Sequence, residues 1–398
     1  DIEKINNKRI VFIVDECHRS VFGRMLSSIK YTFPRAIFIG FSGTPILEIN
    51  KKKDSTTADV FGDELGGTRY TVADGMRDGN VLGFDSVPQP TYKDKDLRKA
   101  VALEKAKAQD ETEVFANDSK KKIYMHWMYD VPMGEQLDDD GDSLESIEGC
   151  LTDAQYNRDE HRKAVIDDIL DNWVSQSHNG KFHAILATSS IPEAIKYYKL
   201  FAQRDCGLKT TAVFDPSDGN NESSIEKIDG IAQMLEDYNS LFGTCFNISG
   251  YASFKRDVCA RLAHKTPYTA VENEPSKCLD ILIVVDQMLT GYDSKWLNTL
   301  YMDKFYKWSN IEMIIQAFSR TNRVFNDDKP HGIIRYYRRP YTMKNIIEYA
   351  FEQYSGQKPY GIFVAKLIQN LENMNAAFSD INDIFKIAGI PDFFKTSR

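Results

Sequence analysis

The sequence has no apolar run approaching the roughly 18 residues that a membrane crossing requires, so no membrane partner is expected. Its six cysteines (Cys17, Cys150, Cys206, Cys245, Cys259, Cys278) form no Cys-x-x-Cys pair and lie far apart. That argues against a zinc site and a disulfide framework, and fits a reducing cytoplasm. Positive charge is in deficit: 50 Lys and Arg stand against 58 Asp and Glu, a formal charge of −8. Composition alone therefore points away from nucleic acid, although a protein gripping DNA needs positive charge only where phosphates lie. No Gly-x-x-x-x-Gly-Lys-[Ser/Thr] loop occurs. The one Gly-Lys, Gly180-Lys181, lacks the leading glycine and runs into Phe182. No segment of this sequence is thus expected to cradle β- and γ-phosphates. No secretory signal opens the chain.

What is present is ordinary globular material, 42% hydrophobic and 27% charged over 398 residues, enough for two or three domains. Ile10 to Val14 is a continuous apolar run, the mark of a strand buried on both faces of a parallel sheet. A second run, Ala36 to Ile39, ends in Gly-Phe-Ser-Gly-Thr-Pro, and a third strand is expected around Val81 to Val87. These pieces, over 1–90, predict part of one α/β domain. From 91 to 157 the character changes to a charged insertion, with a helical stretch in Lys93 to Asp110 and an acidic run from Leu137 to Glu148. It reads as a solvated helix and loop. From 158 to 338 helix alternates with buried strand: helices at Asp159–Val174, Glu193–Gln203 and Lys255–Ala263, strands at Phe182–Ala187, Thr211–Phe214 and Ile281–Val285. This predicts a doubly wound parallel sheet. From 339 to 398 the pattern is helical, with segments at Asn345–Tyr354 and Phe363–Phe378, and is expected to start a helical domain.

Four constellations carry chemistry. In Ile10-Val-Phe-Ile-Val-Asp15-Glu16-Cys17-His18 a buried strand delivers two adjacent carboxylates to its C-terminal edge, where ligands bind in open α/β sheets. Nucleotide hydrolysis needs one carboxylate to hold magnesium and another to position the attacking water. Asp15 suits the first role and Glu16 the second. Ser42 and Thr44, in Phe41-Ser-Gly-Thr-Pro45, are small hydroxyls able to bridge His18 to the nucleotide side. In Asp286 to Asp293 a strand ends in a loop where Gly291 permits close approach to a ligand and Thr290 can donate to a phosphate. Asp293 can accept a ribose hydroxyl there, or cap a following helix. In Gln316-Ala-Phe-Ser-Arg320-Thr-Asn-Arg323, offsets of four and seven place Gln316, Arg320 and Arg323 on one helical face. Permanently charged guanidinium groups suit stabilisation of a γ-phosphate. The basic aromatic stretch Arg335-Tyr-Tyr-Arg-Arg339 reads as a solvated strand edge or a nucleic-acid contact.

In order, these segments resemble the second half of a superfamily 2 helicase core: Asp15–His18 motif II, Ser42–Pro45 motif III, Ile185–Ser190 motif IV, Met288–Ser294 motif V, Gln316–Arg323 motif VI. Asp15-Glu-Cys-His-Arg-Ser20, Gly40-Phe-Ser-Gly-Thr-Pro-Ile46, Met288 to Asn298 and Gln316 to Arg323 are similar to the motor subunit of type I restriction enzymes, as is the stretch from Val60-Phe-Gly62 through Arg77 to Leu82. The resemblance implies an α/β fold with a partial first RecA-like domain, a complete RecA-like parallel-sheet domain and a helical C-terminal segment. It implies ATP and Mg2+ in the cleft between the domains and double-stranded DNA running across both. Methyltransferase and specificity subunits are the implied partners. Asp15 and Glu16 then serve metal and water, Gln316, Gly291 and Asp293 line the nucleotide side, and Arg320 and Arg323 act as arginine fingers. Thr188, Ser189 and Thr290 are expected to contact backbone phosphates, which position DNA without reading it. In the family the phosphate loop and the nuclease lie upstream of motif II, so this stretch alone is expected neither to hydrolyse ATP nor to cut DNA. The competing readings are another superfamily 2 helicase or translocase, and a catalytically inactive scaffold.

Overall fold

The computed structural model describes residues 4–5, 8–19, 24–62, 70–204, 206–214, 224–289 and 291–356, with isolated positions between 374 and 386. Two of the expected strands, β1 (Val11–Val14) and β2 (Ile37–Gly40), are joined through helix α1 (Arg24–Thr32). They pair in parallel, Val11 opposite Ile37 and Val14 opposite Gly40. Phe12 stacks on Phe38 at 4.8 Å. Burial on both faces does not hold: Val11 is 51%, Ile13 71% and Ile37 61% exposed. Two short helices follow, α2 (Thr57–Phe61) and α3 (Val72–Arg77). Each opens with a reciprocal cap, Thr56 with Asp59 and Thr71 with Asp74, which satisfies amides that a short helix cannot.

The third expected strand forms as β3 (Phe84–Pro88), but in a different sheet from the one anticipated. It pairs in parallel with a strand near the far end of the chain, Phe84 opposite Gly332. Phe84 is fully buried, against Phe318 and Phe351. The first α/β portion therefore stops short of residue 84 rather than running to 90. An apolar strand looks the same in sequence whichever sheet it joins.

The charged insertion is a small helical body and not a solvated linker. It contains α4 (Asp94–Lys105), α5 (Glu111–Phe115), α6 (Asp118–Met125) with a π-helical extension over His126–Asp130, and α7 (Asp153–Tyr156). Val101, Ala102, Val114, Tyr124, Trp127 and Ile147 form a separate hydrophobic cluster inside it. Their wide spacing among charged residues conceals that cluster in the sequence. The lysines and carboxylates are its solvent face, with Lys105 lying 4.4 Å over the Trp127 ring.

The main body comprises α8 (Asp159–Gln176), β4 (His183–Thr188), α9 (Ile191–Gln203), β5 (Thr210–Val213), α10 (Ser224–Phe242), α11 (Tyr251–Leu262), β6 (Ile281–Val284), β7 (Leu297–Asp303), α12 (Ile311–Phe318), β8 (Gly332–Tyr336) and α13 (Pro340–Tyr354). The strands run in the order β3-β8-β7-β4-β6-β5, every pairing parallel. This is the α/β, RecA-like architecture expected from the sequence. Strand β7 was not anticipated, because Asn298, Thr299 and Asp303 interrupt its apolar character, and β8 was anticipated only in part, as a solvated strand edge starting at Arg335. Nor does α13 start a new domain: Ile346, Ile347, Ala350 and Phe351 belong to the core of the six-stranded sheet. The further helix expected at Phe363–Phe378 lies outside the described residues apart from isolated positions.

Candidate nucleotide cleft and its relatives

At the C-terminal end of β1 the chain turns sharply. Asp15 and Glu16 are both exposed, and Glu16 adopts a left-handed backbone (φ 48°) with its amide donating to Asp15 Oδ1 at 2.9 Å. A non-glycine residue held there is a local strain of the kind that clusters at functional sites. The next residue, Cys17, is buried and its amide donates to Phe41 O at 2.9 Å, extending the β1–β2 ladder. Gly40 lies so close that a Cβ would meet Cys17 Sγ at 2.8 Å. Only glycine lets the end of β2 pass over that thiol.

His18 is the hinge of the cleft. Its Nε2 lies 3.1 Å from the Gln316 amide nitrogen, and its Nδ1 lies 2.8 Å from Ser42 Oγ. Because the amide nitrogen can only donate, Nε2 accepts, and the ring proton sits on Nδ1 facing Ser42. The ring is then neutral. Burial supports this, pushing the imidazole pKa below its ordinary value, opposed by the Glu16 carboxylate at 3.4 Å. Gln316 also donates to Thr44 Oγ1 at 2.8 Å. His18, Ser42, Thr44 and Gln316 thus form one chain of bonds from the two-stranded sheet to α12 of the six-stranded one.

The shared helical face expected for Gln316, Arg320 and Arg323 is not what brings them together. Helix α12 ends at Phe318, and both arginines lie beyond it. Arg320 folds back instead: its Nε donates to Gln316 O at 3.0 Å and its Nη1 to Tyr292 O at 2.8 Å. Arg323 Nε donates to Asp293 Oδ1 at 2.6 Å. No helix follows Asp293 for it to cap, since the next element is β7. The Arg323 guanidinium holds the Asp293 carboxyl below its usual range. Burial, then the neighbouring Arg323 charge, lowers the proton affinity of Arg320, while Asp293 and Glu16 raise it. The Arg320 and Arg323 guanidinium groups thus lie near enough to repel each other, with the Glu16 carboxylate within electrostatic reach of Arg320, and two such charges together favour an incoming anion. A cavity of about 270 Å³ adjoins Arg323 and is lined also by Ser42, Gly43, Asn80 and Asn322.

Gly291 has φ 78°, in the left-handed region that favours glycine. Thr290 lies outside the described residues. Thr188 is buried, and its hydroxyl donates to Val284 O at 3.0 Å, so it closes the strand edge and does not face solvent. Ser189 beside it is half-buried. Arg335–Arg339 is neither a solvated edge nor a free basic patch. Arg335 Nε and Tyr337 OH both bind Asp168 at 2.8 Å. Arg338 grips the buried Asp303 at 2.8 and 3.1 Å, and Arg339 donates to Leu151 O at 2.6 Å. The physical reason is valence: each of these cations is consumed by a buried or half-buried acceptor that lies 35 to 188 residues away in sequence.

Sequence reasoning missed Glu312, Asn50, Lys52 and Tyr354, which form a second junction between the two sheets. The available signal was a carboxylate in an otherwise apolar helix, Ile311-Glu-Met-Ile-Ile315, one turn before Gln316.

The site is thus a carboxylate pair at the end of one parallel sheet, tied through His18 and Gln316 to a second parallel sheet whose loops carry Arg320 and Arg323. Comparison with known proteins narrows the class. Residues 180–339 match the family model for type I restriction enzyme subunit R domain 3, and residues 1–122 match that for the SWI2/SNF2 ATPase. The endonuclease subunit of type I restriction enzyme SauMRSORF196P from Staphylococcus aureus (strain MRSA252) is 32% identical over 346 residues, 85% of this chain and 31% of that protein. The endonuclease subunit of SsaAORF53P from Staphylococcus saprophyticus is 32% identical over 347 residues, with the same shares covered. A solved structure of the ATP-dependent Type ISP restriction-modification enzyme LlaBIII bound to DNA matches 89% of this chain and 21% of its own, with 14% identity and a TM-score of 0.43. The chain belongs to the type I restriction enzyme endonuclease-subunit family and carries its helicase-like motor core. It spans about a third of the length of the curated relatives it matches. No helix among the described residues is long and apolar enough to cross a membrane.

Proposed function

We propose that this chain is the motor portion of a type I restriction endonuclease subunit that hydrolyses ATP to pump double-stranded DNA in the cytoplasm. In this reading cleavage follows from a nuclease elsewhere in the subunit, with methyltransferase and specificity subunits as partners. One observation carries the reading: the His18–Gln316–Thr44 bridge, which ties the turn that holds Asp15 and Glu16 to the helix that runs into Arg320 and Arg323.

The donor set fits magnesium. That ion keeps several waters and takes only one or two carboxylates beside substrate phosphates, so a single exposed Asp15 suffices. The described residues hold no cluster of three or more His, Cys, Asp or Glu of the kind an all-protein metal cage would need. When bound, the ion supplies charge neutralisation on the β- and γ-phosphate oxygens. Glu16, in its strained backbone, orients the attacking water and takes its proton. Arg323, held by Asp293, and Arg320, held by Gln316 O and Tyr292 O, face the transferring phosphoryl group, where negative charge spreads in the transition state. Neutral His18 reports the state of Glu16 to Ser42 and Gln316, and so to the six-stranded sheet. Ser189 and Thr290 contact DNA backbone phosphates, with Thr188 holding the end of β4 in place. The phosphate loop and nuclease are supplied by the rest of the subunit, and this stretch alone turns over no ATP.

The test is ATP turnover by the full-length subunit with and without linear duplex DNA. Turnover stimulated by duplex, and reduced on the order of 10³-fold in Arg323→Ala, is the expected result. Absence of turnover on any nucleic acid would overturn the motor.

A further inference from the structure

Apart from the His18 bridge, the two sheets meet at a junction built around Glu312. This carboxylate is buried on α12, one turn before Gln316. Oε2 accepts from Asn50 Nδ2 at 2.8 Å and Oε1 from Lys52 Nζ at 2.5 Å. Asn50 is itself fully buried. Its Oδ1 takes the Leu47 amide at 2.7 Å, and its Nδ2 also reaches Tyr354 OH at 3.3 Å. The Tyr354 hydroxyl in turn donates to Pro45 O at 2.8 Å. The segment Pro45–Lys52, which directly continues Ser42–Thr44, is thereby clipped to both α12 and α13.

The chemistry of this junction is costly for mere adhesion. A buried carboxylate whose counter-charge is a half-exposed lysine gains little net stability over an apolar residue of the same size. What it fixes is geometry: two buried side chains with complementary donors and acceptors tolerate one relative placement. The placement matters because Glu312 and Gln316 lie on one face of a two-turn helix, four residues apart. Rotating or sliding α12 to release Glu312 would carry Gln316 off His18 and Thr44, and would move the backbone carbonyl that seats Arg320.

We propose that Glu312, with Asn50, is a positioning pair that locks α12 to the loop after β2 and so sets the closed, arginine-facing geometry of the cleft. The inference rests on the motor reading for its catalytic consequence but not for its structural one. The pair touches no reacting atom and acts through Gln316 and Arg320.

The test uses polarity exchange in the full-length subunit. Asn50→Asp places a second carboxylate against buried Glu312 and should open the joint. Glu312→Gln alone weakens it less. Combined, Asn50→Asp with Glu312→Gln restores one amide donor facing one carboxylate. A fluorescence energy-transfer pair at the exposed positions Tyr31 on α1 and Val174 on α8 reads the separation of the two sheets without nucleotide. Asn50→Asp should lengthen and broaden that distance, and the double variant should return it to the wild-type value. In parallel, kcat for ATP should fall on the order of ten- to a hundredfold in Asn50→Asp with little change in KM, and recover in the double variant. An unchanged distance in a folded Asn50→Asp protein would overturn the lock, as would a double variant no better than the single. Distances that respond in a subunit without ATP turnover would leave the lock standing and remove the motor.

Discussion

Lys329 donates to two backbone carbonyls, Leu297 O at 2.7 Å and Lys295 O at 3.1 Å, from a wholly buried position. It thereby ties the loop after Arg323 to the turn after Asp293 and braces that ion pair from behind. Burial, and then the Arg323 charge, pull its pKa down to about 7. In the unfolded chain the amine keeps an ordinary affinity near 10.4. Between those values the unfolded state binds the extra proton, so stability rises with pH across the interval, and the cost of burying the charge is full below it. Chemical denaturation at pH 7 and pH 9 should show the wild type gaining relative to Lys329→Met as pH increases. Parallel pH dependence in the two proteins would mean the amine titrates normally. Asp303 shows the opposite balance. Burial raises its proton affinity, but His161 and Arg338 overrule that and leave its pKa at about 2. Its share of stability is therefore present above the ordinary carboxylate range and lost only as pH falls toward 2.

The insertion is fastened to the main body through the first turn of α13. Glu148, buried, accepts the amides of Tyr341 at 3.1 Å and Thr342 at 2.7 Å, taking up donors that a helix start leaves unpaired. Burial pushes its pKa up, and those bonds together with the Tyr92 hydroxyl resist the shift. Gly134 packs against the same turn. A Cβ there would stand 2.5 Å from the Tyr341 carbonyl carbon and 2.7 Å from the Thr342 nitrogen, backbone atoms that cannot swing aside. Gly134→Ala should therefore push the insertion off α13 at a cost of about 1–3 kcal/mol. Hydrogen exchange would register it as faster exchange at the Tyr341 and Thr342 amides. Unchanged protection there would show that the insertion does not depend on this contact. Trp308 and Asn345 also bind Glu135, so the insertion reaches the segment that leads into α12.

At the scale of the molecule, the six-stranded sheet and its core draw on elements from both sides of the span 158–338. Strand β3 and helix α13 flank it in space, and Phe84, Phe318 and Phe351 meet with ring centroids 5.3 to 5.7 Å apart. The span 158–338 suggested by helix–strand alternation omits both of those elements and would uncover β8. A polypeptide of residues 82–356 is expected to unfold cooperatively, and one of 158–338 to lose its edge strand and aggregate. Thermal melts and size-exclusion profiles of the two would decide. Equal behaviour would remove β3 and α13 from the folding unit.

The sequence by itself determined the class of fold, the strands that announce themselves as apolar runs, and the order of the motif residues. A strand buried on both faces must be apolar at successive positions, so Ile281–Val284 and His183–Thr188 were legible. Asp15 and Glu16 were legible because they follow an apolar run, although β1 is not buried on both faces. Tertiary structure decided the rest. It decided which sheet takes Phe84, because pairing partners 248 residues apart leave no local trace (Phe84 opposite Gly332). It decided that Arg335 serves half-buried Asp168 and Arg338 buried Asp303, because a charge in sequence carries no mark of its partner. And it decided that Glu312 is a joint and not a solvated acid, because a buried carboxylate is tolerated only where the fold supplies donors for it, here Asn50 and Lys52 from the other sheet.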